Sequence, residues 1–419
     1  VRGKLPDTVT CPETGVTFPT GKDGGTVPKR STFTCASCGS QQGVMNATRD
    51  SKKGGQVAGY AIQGLAPKRS KAGSPYNGRF FAPFDSGLAD QYSAAIEEWD
   101  RRKDGDLGQY WPRSEVPYGF MTAVANSDIR TNYGFTHWWT MFNPRQLLVL
   151  SQILKTIVET GDYSWATREY VLGAFQQYLR NQNMFCFWDV GYDKLVPHMS
   201  NNNFHPKANI VENSVFSTLG RGNWTSCAET IEAGEDWSER PWDPVSTETL
   251  SSTHPALAAE VAGKSEKVFP GDPVRETEIY QGSSTELHQY SDHSTDLVIT
   301  DPPFGGLLHY SELADFFHAW LRLPLKDKYP EYFGPEYTPK SMEAVSNKAR
   351  EPDDPDGFYQ RLLTACWKEA HRILKPGGVL AFTFHHSEDA PWVSVLESLF
   401  DSGFYLEATY PIRSDETKG

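Results

Sequence analysis

Apolar residues recur at helical spacing in two stretches near the middle of the chain. Asn143 and Pro144 suit the N-cap and the first position of a helix, and a stripe of Leu and Ile residues follows before Gly161. A second helix is predicted over residues 164–180, where the apolar stripe is partly aromatic. We assign both stripes to core packing, because an apolar stripe at this spacing is typical of a helix that faces a core.

The last third of the chain alternates between short apolar runs and helical patterns. The predicted strands are 278–281, 296–300, 379–384 and 405–412, and the predicted helices are 312–323, 356–374 and 392–400. Continuous apolar runs are typical of strands buried inside a parallel sheet. Strands that alternate with helices indicate right-handed crossovers and an open α/β sheet.

These patterns divide the chain into four predicted parts. They are a small basic β unit at 1–85, an aromatic-rich connector with the helical insertion at 86–219, an acidic loop-like insertion at 220–274 and the α/β half at 275–419. In the first part, short strands are predicted at 57–62 and 79–82. The third part is predicted as a loop because its apolar residues are too sparse for a strong core.

Composition indicates packed structure joined by long polar connections, since 13% of the 419 residues are aromatic and 28 are Pro. A chain of this length accommodates two or three structural units. The net charge is −13, yet residues 1–80 carry 12 Lys and Arg against 4 Asp and Glu. Two interpretations of this basic part stay open: it grips phosphates, or its charges are simply solvated.

The sequence shows no signal-peptide pattern and no apolar run long enough to cross a membrane. We therefore expect a cytoplasmic protein with no membrane contact, and the 6 irregularly spaced Cys are expected to be mostly reduced. The chain opens with Val1 in loop-like sequence, which predicts an N-terminally truncated fragment.

The tetrapeptide Asp301-Pro302-Pro303-Phe304 follows directly on the predicted strand 296–300. In open α/β sheets, ligands bind beyond the carboxyl ends of the strands. Two prolines fix φ and remove backbone donors, so we expect a stiff loop whose carbonyls point outward as free acceptors. An acidic side chain and a rigid carbonyl together suit the two hydrogens of an exocyclic amine, and Phe304 offers a face for a flipped-out base. The alternative is a Pro-rich turn with Phe304 packed in the core.

The tetrapeptide resembles the Asp-Pro-Pro-Tyr/Phe signature of S-adenosylmethionine-dependent methyltransferases that act on adenine N6 or cytosine N4 in DNA. The surrounding sequence resembles one branch, the DUF1156-type adenine-specific DNA methylases with a zinc-ribbon insertion. The similar segments are 142–148, 210–216, 295–304, 309–322, 374–378 and 410–413. The resemblance implies the C-terminal part of a Rossmann-like class I methyltransferase sheet.

This resemblance implies methyl transfer from S-adenosylmethionine to adenine N6 in DNA, within a restriction-modification or phage-defence system whose other subunits are potential partners. Asp301 and Pro302 would hold the amine, Pro303 would complete the corner, and Phe304 would stack on the base. Cytosine N4 or RNA as substrate is the alternative within the same fold. Enzymes that methylate protein glutamine usually carry Asn at the first motif position, so Asp301 disfavours them. A further alternative is a non-catalytic DNA-binding or scaffold subunit.

Two features depart from that family. Its glycine-rich cofactor loop is not found in the sequence, and the closest match, Gly220-Arg221-Gly222, is predicted neither to follow a strand nor to open a helix. We expect the loop on a missing N-terminal piece or on another chain.

The ribbon also departs from the family. Cys35 and Cys38 form a metal knuckle and Cys11 is a third candidate ligand, but a structural zinc site takes four. A second knuckle would fall near 66–69, where no cysteine remains. Zinc binding and a metal-free β-ribbon both stay open.

Three histidines and a tyrosine lie near the predicted site. His309 and Tyr310 follow the loop and either line the base pocket or pack at a helix start. His385 and His386 follow the strand 379–384, and we interpret them as solvated or hydrogen-bonded rather than catalytic.

Overall fold

The computed structural model describes most of the chain from residue 79 onward and shorter stretches before it. The described residues are 8–10, 15, 17–19, 32–35, 38–51, 59, 61–65, 79–125, 128–189, 194–200, 203–207, 209–217, 220–239, 243–245, 266–268 and 278–411.

Short strands and longer helices make up these residues. The strands are β1 (Thr8–Thr10), β2 (Thr17–Pro19), β3 (Thr32–Thr34), β4 (Gln41–Gly43), β5 (Ala61–Leu65), β6 (Arg79–Pro83), β7 (Phe187–Asp189), β8 (Lys194–Val196), β9 (Asp243–Val245), β10 (Glu266–Val268), β11 (Thr295–Thr300) and β12 (Leu374–Phe382). The helices are α1 (Val44–Ser51), α2 (Ser86–Arg102), α3 (Ile129–Asn132), α4 (Pro144–Glu159), α5 (Trp165–Asn181), α6 (Trp224–Glu239), α7 (Tyr310–Leu325), α8 (Pro330–Phe333), α9 (Pro355–Ile373) and α10 (Asp389–Phe400). A π-helical turn covers Phe120–Val124 and a 3₁₀ turn covers Trp138–Met141.

The fold is mixed α/β and mostly helical, and its described strands pair only in twos. Consecutive strands from β1 to β10 form antiparallel hairpins, whereas β11 and β12 are parallel. Hairpin β5–β6 contains the predicted strand 79–82 and the end of the predicted strand 57–62. Residues 57, 58 and 60 of that prediction lie outside the described residues.

Both predicted middle helices are confirmed. Asn143 caps α4 by accepting from the Gln146 backbone amide at 2.8 Å, and the Gln146 side chain accepts from the Asn143 amide at 3.0 Å. This reciprocal pair satisfies two amide groups that a helix start otherwise leaves without partners. Arg145 then forms a two-point ion pair with Glu212, 2.8 Å at its shortest, which attaches the segment 209–217 to the start of α4.

Helix α7, which follows the Asp-Pro-Pro-Phe loop, packs into the same core as α4 and α5. Its Phe316 and Trp320 are fully buried. Trp320 meets Phe175 of α5 edge-on with ring centres 5.8 Å apart, and Phe316 stacks on Phe142 at 5.7 Å. Aromatic burial of this kind dominates core energetics. The loop is therefore anchored on its C-terminal side by the helical part of the protein.

The segment 220–274 was predicted to be a loop. This is wrong for part of it, because α6 lies inside the segment. Trp224, Cys227 and Ile231 recur at helical spacing and form the contact stripe of α6 against the central core. Trp224 meets Tyr178 of α5 edge-on at 5.8 Å. Three apolar residues are too few to dominate an acidic composition, but at this spacing they suffice for one packed helix face.

The parallel pair β11–β12 is covered by helices on one face only. Val298 pairs with Leu380, and Leu380 and Phe382 of β12 pack against a cluster from α9 and α10. On the opposite face, Leu297, Ile299 and Val379 are 48%, 74% and 51% exposed. The strands were predicted to be buried on both faces, so that expectation is wrong for this second face.

Two other predicted strands are wrong. Residues 278–281 and 405–411 are irregular, and residue 412 lies outside the described residues. A strand exists only where a neighbour completes its hydrogen-bond ladder, and neither segment has such a neighbour among the described strands. The described residues thus contain no Rossmann-like sheet beyond the pair β11–β12. The predicted helices 312–323, 356–374 and 392–400 are confirmed as α7, α9 and α10.

Among the described residues, no helix combines the length and the apolar character that a membrane crossing requires.

Candidate functional site

The Asp-Pro-Pro-Phe loop leaves the carboxyl end of β11, where ligands of α/β sheets bind. Asp301 is exposed, Pro302 is buried, and Pro303 and Phe304 are half-buried. Gly305 turns the chain with φ of 63°, a left-handed conformation that glycine adopts without steric cost. The loop therefore presents its acidic side chain to solvent, whereas Pro302 is embedded in the protein.

Asp301 is held by the neighbouring strand. Thr383, directly after β12, donates from Oγ1 to Oδ1 of Asp301 at 2.5 Å. The Thr383 amide also donates to the Thr300 carbonyl at 3.3 Å, so the two strand ends are tied together. No hydrogen bond to Oδ2 of Asp301 comes from the described residues. One carboxylate oxygen is thus fixed, and the other is available to a ligand.

The sequence predicted that the carbonyls of the loop point outward as free acceptors. This is wrong for two of them, which already accept hydrogen bonds within the protein. The Pro303 carbonyl accepts from the Tyr359 hydroxyl at 2.7 Å. Burial raises the pKa of Tyr359 to about 12, which keeps this hydroxyl protonated as a donor. The Phe304 carbonyl accepts from the Leu307 amide at 3.3 Å. Within the tetrapeptide, no described residue donates a hydrogen bond to the Asp301 carbonyl or to the Pro302 carbonyl.

Phe304 belongs to a line of aromatic rings beside the loop. Its ring meets Phe384 edge-on at 5.4 Å, and Phe384 meets Trp392 edge-on at 4.8 Å. Trp392 is 39% exposed, and its indole nitrogen donates to the His386 carbonyl at 3.1 Å. The sequence analysis missed Phe384 and Trp392 as site residues. Their position after β12, parallel to β11, is the signal that identifies them.

Of the two residues predicted beside the loop, Tyr310 is exposed and His309 is buried. Tyr310 is 49% exposed, and burial of its remaining surface, followed by the nearby Asp301 charge, raises its pKa. The His309 ring packs against Phe120 with centres 4.3 Å apart, and burial lowers its pKa. His309 therefore contacts protein on its faces, while Tyr310 borders the open side of the loop.

A buried carboxylate lies one turn further along α7. Glu312 is 3% exposed and accepts from the Met121 amide at 2.8 Å and from the Asn347 side chain at 2.7 Å. The same Asn347 nitrogen lies 3.1 Å from Nδ1 of His309. A side chain added at Gly119 would approach Glu312 to 2.5 Å, so the backbone fits tightly around the carboxylate. The sequence analysis missed this cluster because its members are far apart in the chain.

His385 and His386 follow β12, as predicted, and His386 forms a local hydrogen bond. His386 accepts at Nδ1 from the Glu388 amide at 3.0 Å. This contact is the local hydrogen bond that the sequence interpretation favoured. His385 is exposed.

Gly220-Arg221-Gly222 is the closest match in the sequence to the glycine-rich cofactor loop. Gly220 and Gly222 do precede a helix, contrary to the sequence prediction, since α6 begins at Trp224. Both have positive φ, of 80° and 76°. A Cβ at Gly222 would overlap the Asn181 side chain, so Gly222 serves close packing against α5. The Gly220-Arg221-Gly222 segment therefore packs on protein at Gly222 and does not fit the glycine-rich cofactor loop.

Cys35 and Cys38 lie between β3 and β4. The Cys35 amide donates to the Ser40 carbonyl at 2.8 Å, and Sγ of Cys38 lies 3.1 Å from Oγ of Ser40. The hydrogen bond from Ser40 lowers the pKa of Cys38, which favours a thiolate. Cys11 lies outside the described residues. Among those described, no three His, Cys, Asp or Glu converge as a metal site, so the four ligands of a structural zinc are not assembled there.

Comparison of the chain with protein-family models, with curated proteins and with solved structures found no match.

Proposed function

We propose that this chain carries the base-binding part of an S-adenosylmethionine-dependent methyltransferase that acts on adenine N6 in DNA. The single observation that carries the proposal is the geometry of Asp301: an exposed carboxylate beyond a parallel strand, with one oxygen fixed by Thr383. Beside it the Pro302 carbonyl is rigid and has no donor from the described residues. Two adjacent acceptors match the two hydrogens of an exocyclic amine.

The proposed chemistry is positioning. Oδ2 of Asp301 and the Pro302 carbonyl accept one amine hydrogen each, which directs the nitrogen lone pair towards the methyl donor. In this proposal the methyl group would come from S-adenosylmethionine held by residues other than the described ones. Phe304 and Trp392 offer aromatic surface to a base that has left the duplex stack. Holding reactants in this geometry lowers the barrier without a metal ion or a covalent intermediate.

The larger Rossmann-like sheet is part of the same proposal. A pair of parallel strands is marginal alone, and parallel sheets occur almost only with both faces covered. Leu297, Ile299 and Val379 form an uncovered apolar face on β11–β12. This exposure supports additional structure on that face, as the methyltransferase resemblance implies. A modification or phage-defence system with further subunits is the proposed setting.

A second candidate is a non-catalytic DNA-binding or scaffold subunit. It is favoured by the packing of Asn181 at Gly222, in the segment of the sequence that most nearly matches the cofactor loop. Cytosine N4 or RNA remains the alternative substrate of the same site.

Nucleoside mass spectrometry of DNA from cells with the intact native gene tests the proposal. We expect N6-methyladenine with the native gene and its loss with Asp301→Ala. Asp296→Ala is the matched control, because Asp296 is an exposed carboxylate on β11, the strand that precedes Asp301, and is paired with Lys375 at 2.7 Å. N4-methylcytosine instead would support the cytosine alternative. Absence of any methylated base with the native gene would support the scaffold.

A further inference from the structure

The segment 343–350, which follows α8 in the sequence, lies against the glycines that end the Asp-Pro-Pro-Phe loop. The Ser346 amide donates to the Gly305 carbonyl at 3.2 Å. A side chain added at Gly306 would approach the Ser346 carbonyl to 2.8 Å, so the two backbones are in close contact there. The segment 343–350 therefore holds the loop at the point where the chain leaves it.

Asn347, the next residue in this segment, is buried in one fixed orientation. Its Oδ1 accepts from the Ala349 and Arg350 amides, at 2.9 and 3.2 Å. Backbone amides only donate, so the side-chain atom that faces them is the oxygen and the other is the nitrogen. That nitrogen donates to Glu312 at 2.7 Å and lies 3.1 Å from Nδ1 of His309. Both hydrogens of the Asn347 side chain are thus directed at named acceptors.

This orientation determines where His309 carries its proton. A ring nitrogen that faces an N–H group must accept, so Nδ1 of His309 has no hydrogen. Burial lowers the pKa of His309, and the Glu312 charge, the next largest influence, offsets only part of that effect. The ring is therefore neutral, with its single hydrogen on Nε2. This Nε2 is buried and forms no hydrogen bond of normal geometry with a described residue.

Stability alone does not explain a polar cluster at this place. Glu312 is 3% exposed, and no Lys or Arg among the described residues forms an ion pair with it. Apolar residues of similar volume often hold two segments together as well as a buried charge does, or better. A buried Nε2–H without a full hydrogen bond lowers stability further. Costly polar groups that border a candidate site are typical of a functional role.

We propose that Asn347 is a positioning residue for the carboxylate of Asp301. It holds His309 as the neutral Nε2–H tautomer, and it holds Ser346 where the Ser346 amide meets Gly305. Asn347 acts through these neighbours and does not itself bind the base. The inference rests on the function proposed above, because positioning matters only if Asp301 binds the reacting amine. Small displacements of reacting groups cost up to about a hundredfold in rate.

The tautomer of His309 is the first test, and it needs no enzymatic activity. Long-range proton–nitrogen NMR correlations of native protein with isotope-labelled histidine distinguish the two neutral tautomers from the charged ring, and the signal lost in His309→Gln identifies the residue. We expect the Nε2–H tautomer. In Asn347→Asp an oxygen replaces the N–H donor, so Nδ1 of His309 should become protonated. A native ring protonated at Nδ1, or a tautomer unchanged by Asn347→Asp, overturns the proposal.

Methylation kinetics are the second test, with tritiated S-adenosylmethionine and DNA from cells that lack the gene as probes. Asn347→Asp should lower kcat of the folded native protein by about ten- to hundredfold and change KM by less than about twofold. Asn183→Asp is the matched control. Asn183 is also fully buried, and it accepts from the Phe185 amide at 2.9 Å and donates to the Leu179 carbonyl at 2.8 Å, outside the loop and the segment 343–350.

Melting curves of the two variants separate positioning from support of the fold. Similar losses of melting temperature, with a loss of kcat in Asn347→Asp only, support the proposal. The same kcat in both variants would assign Asn347 a purely structural role and overturn it, as would a rise in KM at unchanged kcat. Failure of the proposed function is seen separately, as no methyl transfer by the native protein, and the positioning role then falls with it.

Discussion

Asn347 donates a hydrogen bond of 2.7 Å to the buried Glu312 carboxylate. Through this bond the segment after α8 is joined to α7, and Glu312 in turn receives the Met121 amide from the π-helical turn of the connector at 2.8 Å. The three segments therefore meet at the first turn of α7, the helix that follows the Asp-Pro-Pro-Phe loop. The position of that loop depends on a polar contact buried between parts of the chain that are distant in sequence.

Replacing Glu312 by Ala should destabilise the protein by about 1–3 kcal/mol, because the Met121 amide and the Asn347 side chain lose their acceptor in a buried position. Chemical denaturation measures the free energy of unfolding. Glu331→Ala is the control, since Glu331 is an exposed carboxylate on α8. An equal loss in both variants would show that the buried cluster contributes nothing specific.

His198 should make the protein sensitive to mild acid. Burial lowers its pKa to about 3, against about 6.5 for the unfolded chain. The folded-state pKa is depressed, so the unfolded state binds the proton first, and stability falls as pH drops from about 6.5 towards 3. The expected slope from this group is about 1.4 kcal/mol per pH unit.

His198→Phe removes this titration and suits the aromatic surroundings, where the ring stacks on Phe185 at 4.8 Å. The free energy of unfolding can be measured by denaturation at about pH 7 and about pH 5. Its difference between the two pH values should be smaller for the variant than for the native protein. His288→Gln, at a side chain that is 83% exposed, should leave the difference unchanged. A variant that retains the full acid sensitivity would assign it to other groups.

Tyr359→Phe should loosen the Asp-Pro-Pro-Phe loop by removing the hydroxyl that donates to the Pro303 carbonyl at 2.7 Å. The expected loss of stability is about 1 kcal/mol. If the proposed function holds, methylation should also fall. Tyr337→Phe is the control, because Tyr337 donates to the Glu115 carbonyl at 3.2 Å outside the loop. Comparable methylation in the two variants would count against a positioning role for Tyr359.

Gly222→Ala should destabilise the protein more than Gly220→Ala. Both glycines have positive φ, which costs about 1–2 kcal/mol for a residue with a Cβ. Only at Gly222 would the new Cβ also overlap Asn181, approaching its Cβ to 2.7 Å, whereas the space at Gly220 is open. Urea denaturation of the two variants separates the packing contribution from the conformational one. Equal midpoints would contradict the packing role of Gly222.

The sequence by itself determined several elements of the local structure. The capping pair Asn143 and Gln146 and the regular apolar stripe specify α4 through contacts within a few residues. The short apolar run of β11 and the helical stripe of α9 were identified in the same way. Such features depend on neighbours three or four positions away, or on alternation along a strand, so they are readable without knowledge of the rest of the chain. The place of the Asp-Pro-Pro-Phe loop at a strand end was also readable.

Only the tertiary structure decided which groups of the candidate site are available. The Pro303 carbonyl accepts a hydrogen bond from Tyr359, which lies 56 positions away in the sequence. His309 is buried and packs against Phe120, which belongs to the predicted connector 86–219. The same holds for Glu312, whose partner Met121 lies 191 positions earlier. Exposure and hydrogen bonding depend on the contacts that folding creates between distant segments. A local pattern specifies none of these contacts, because the same helix or strand forms whichever surface eventually covers it.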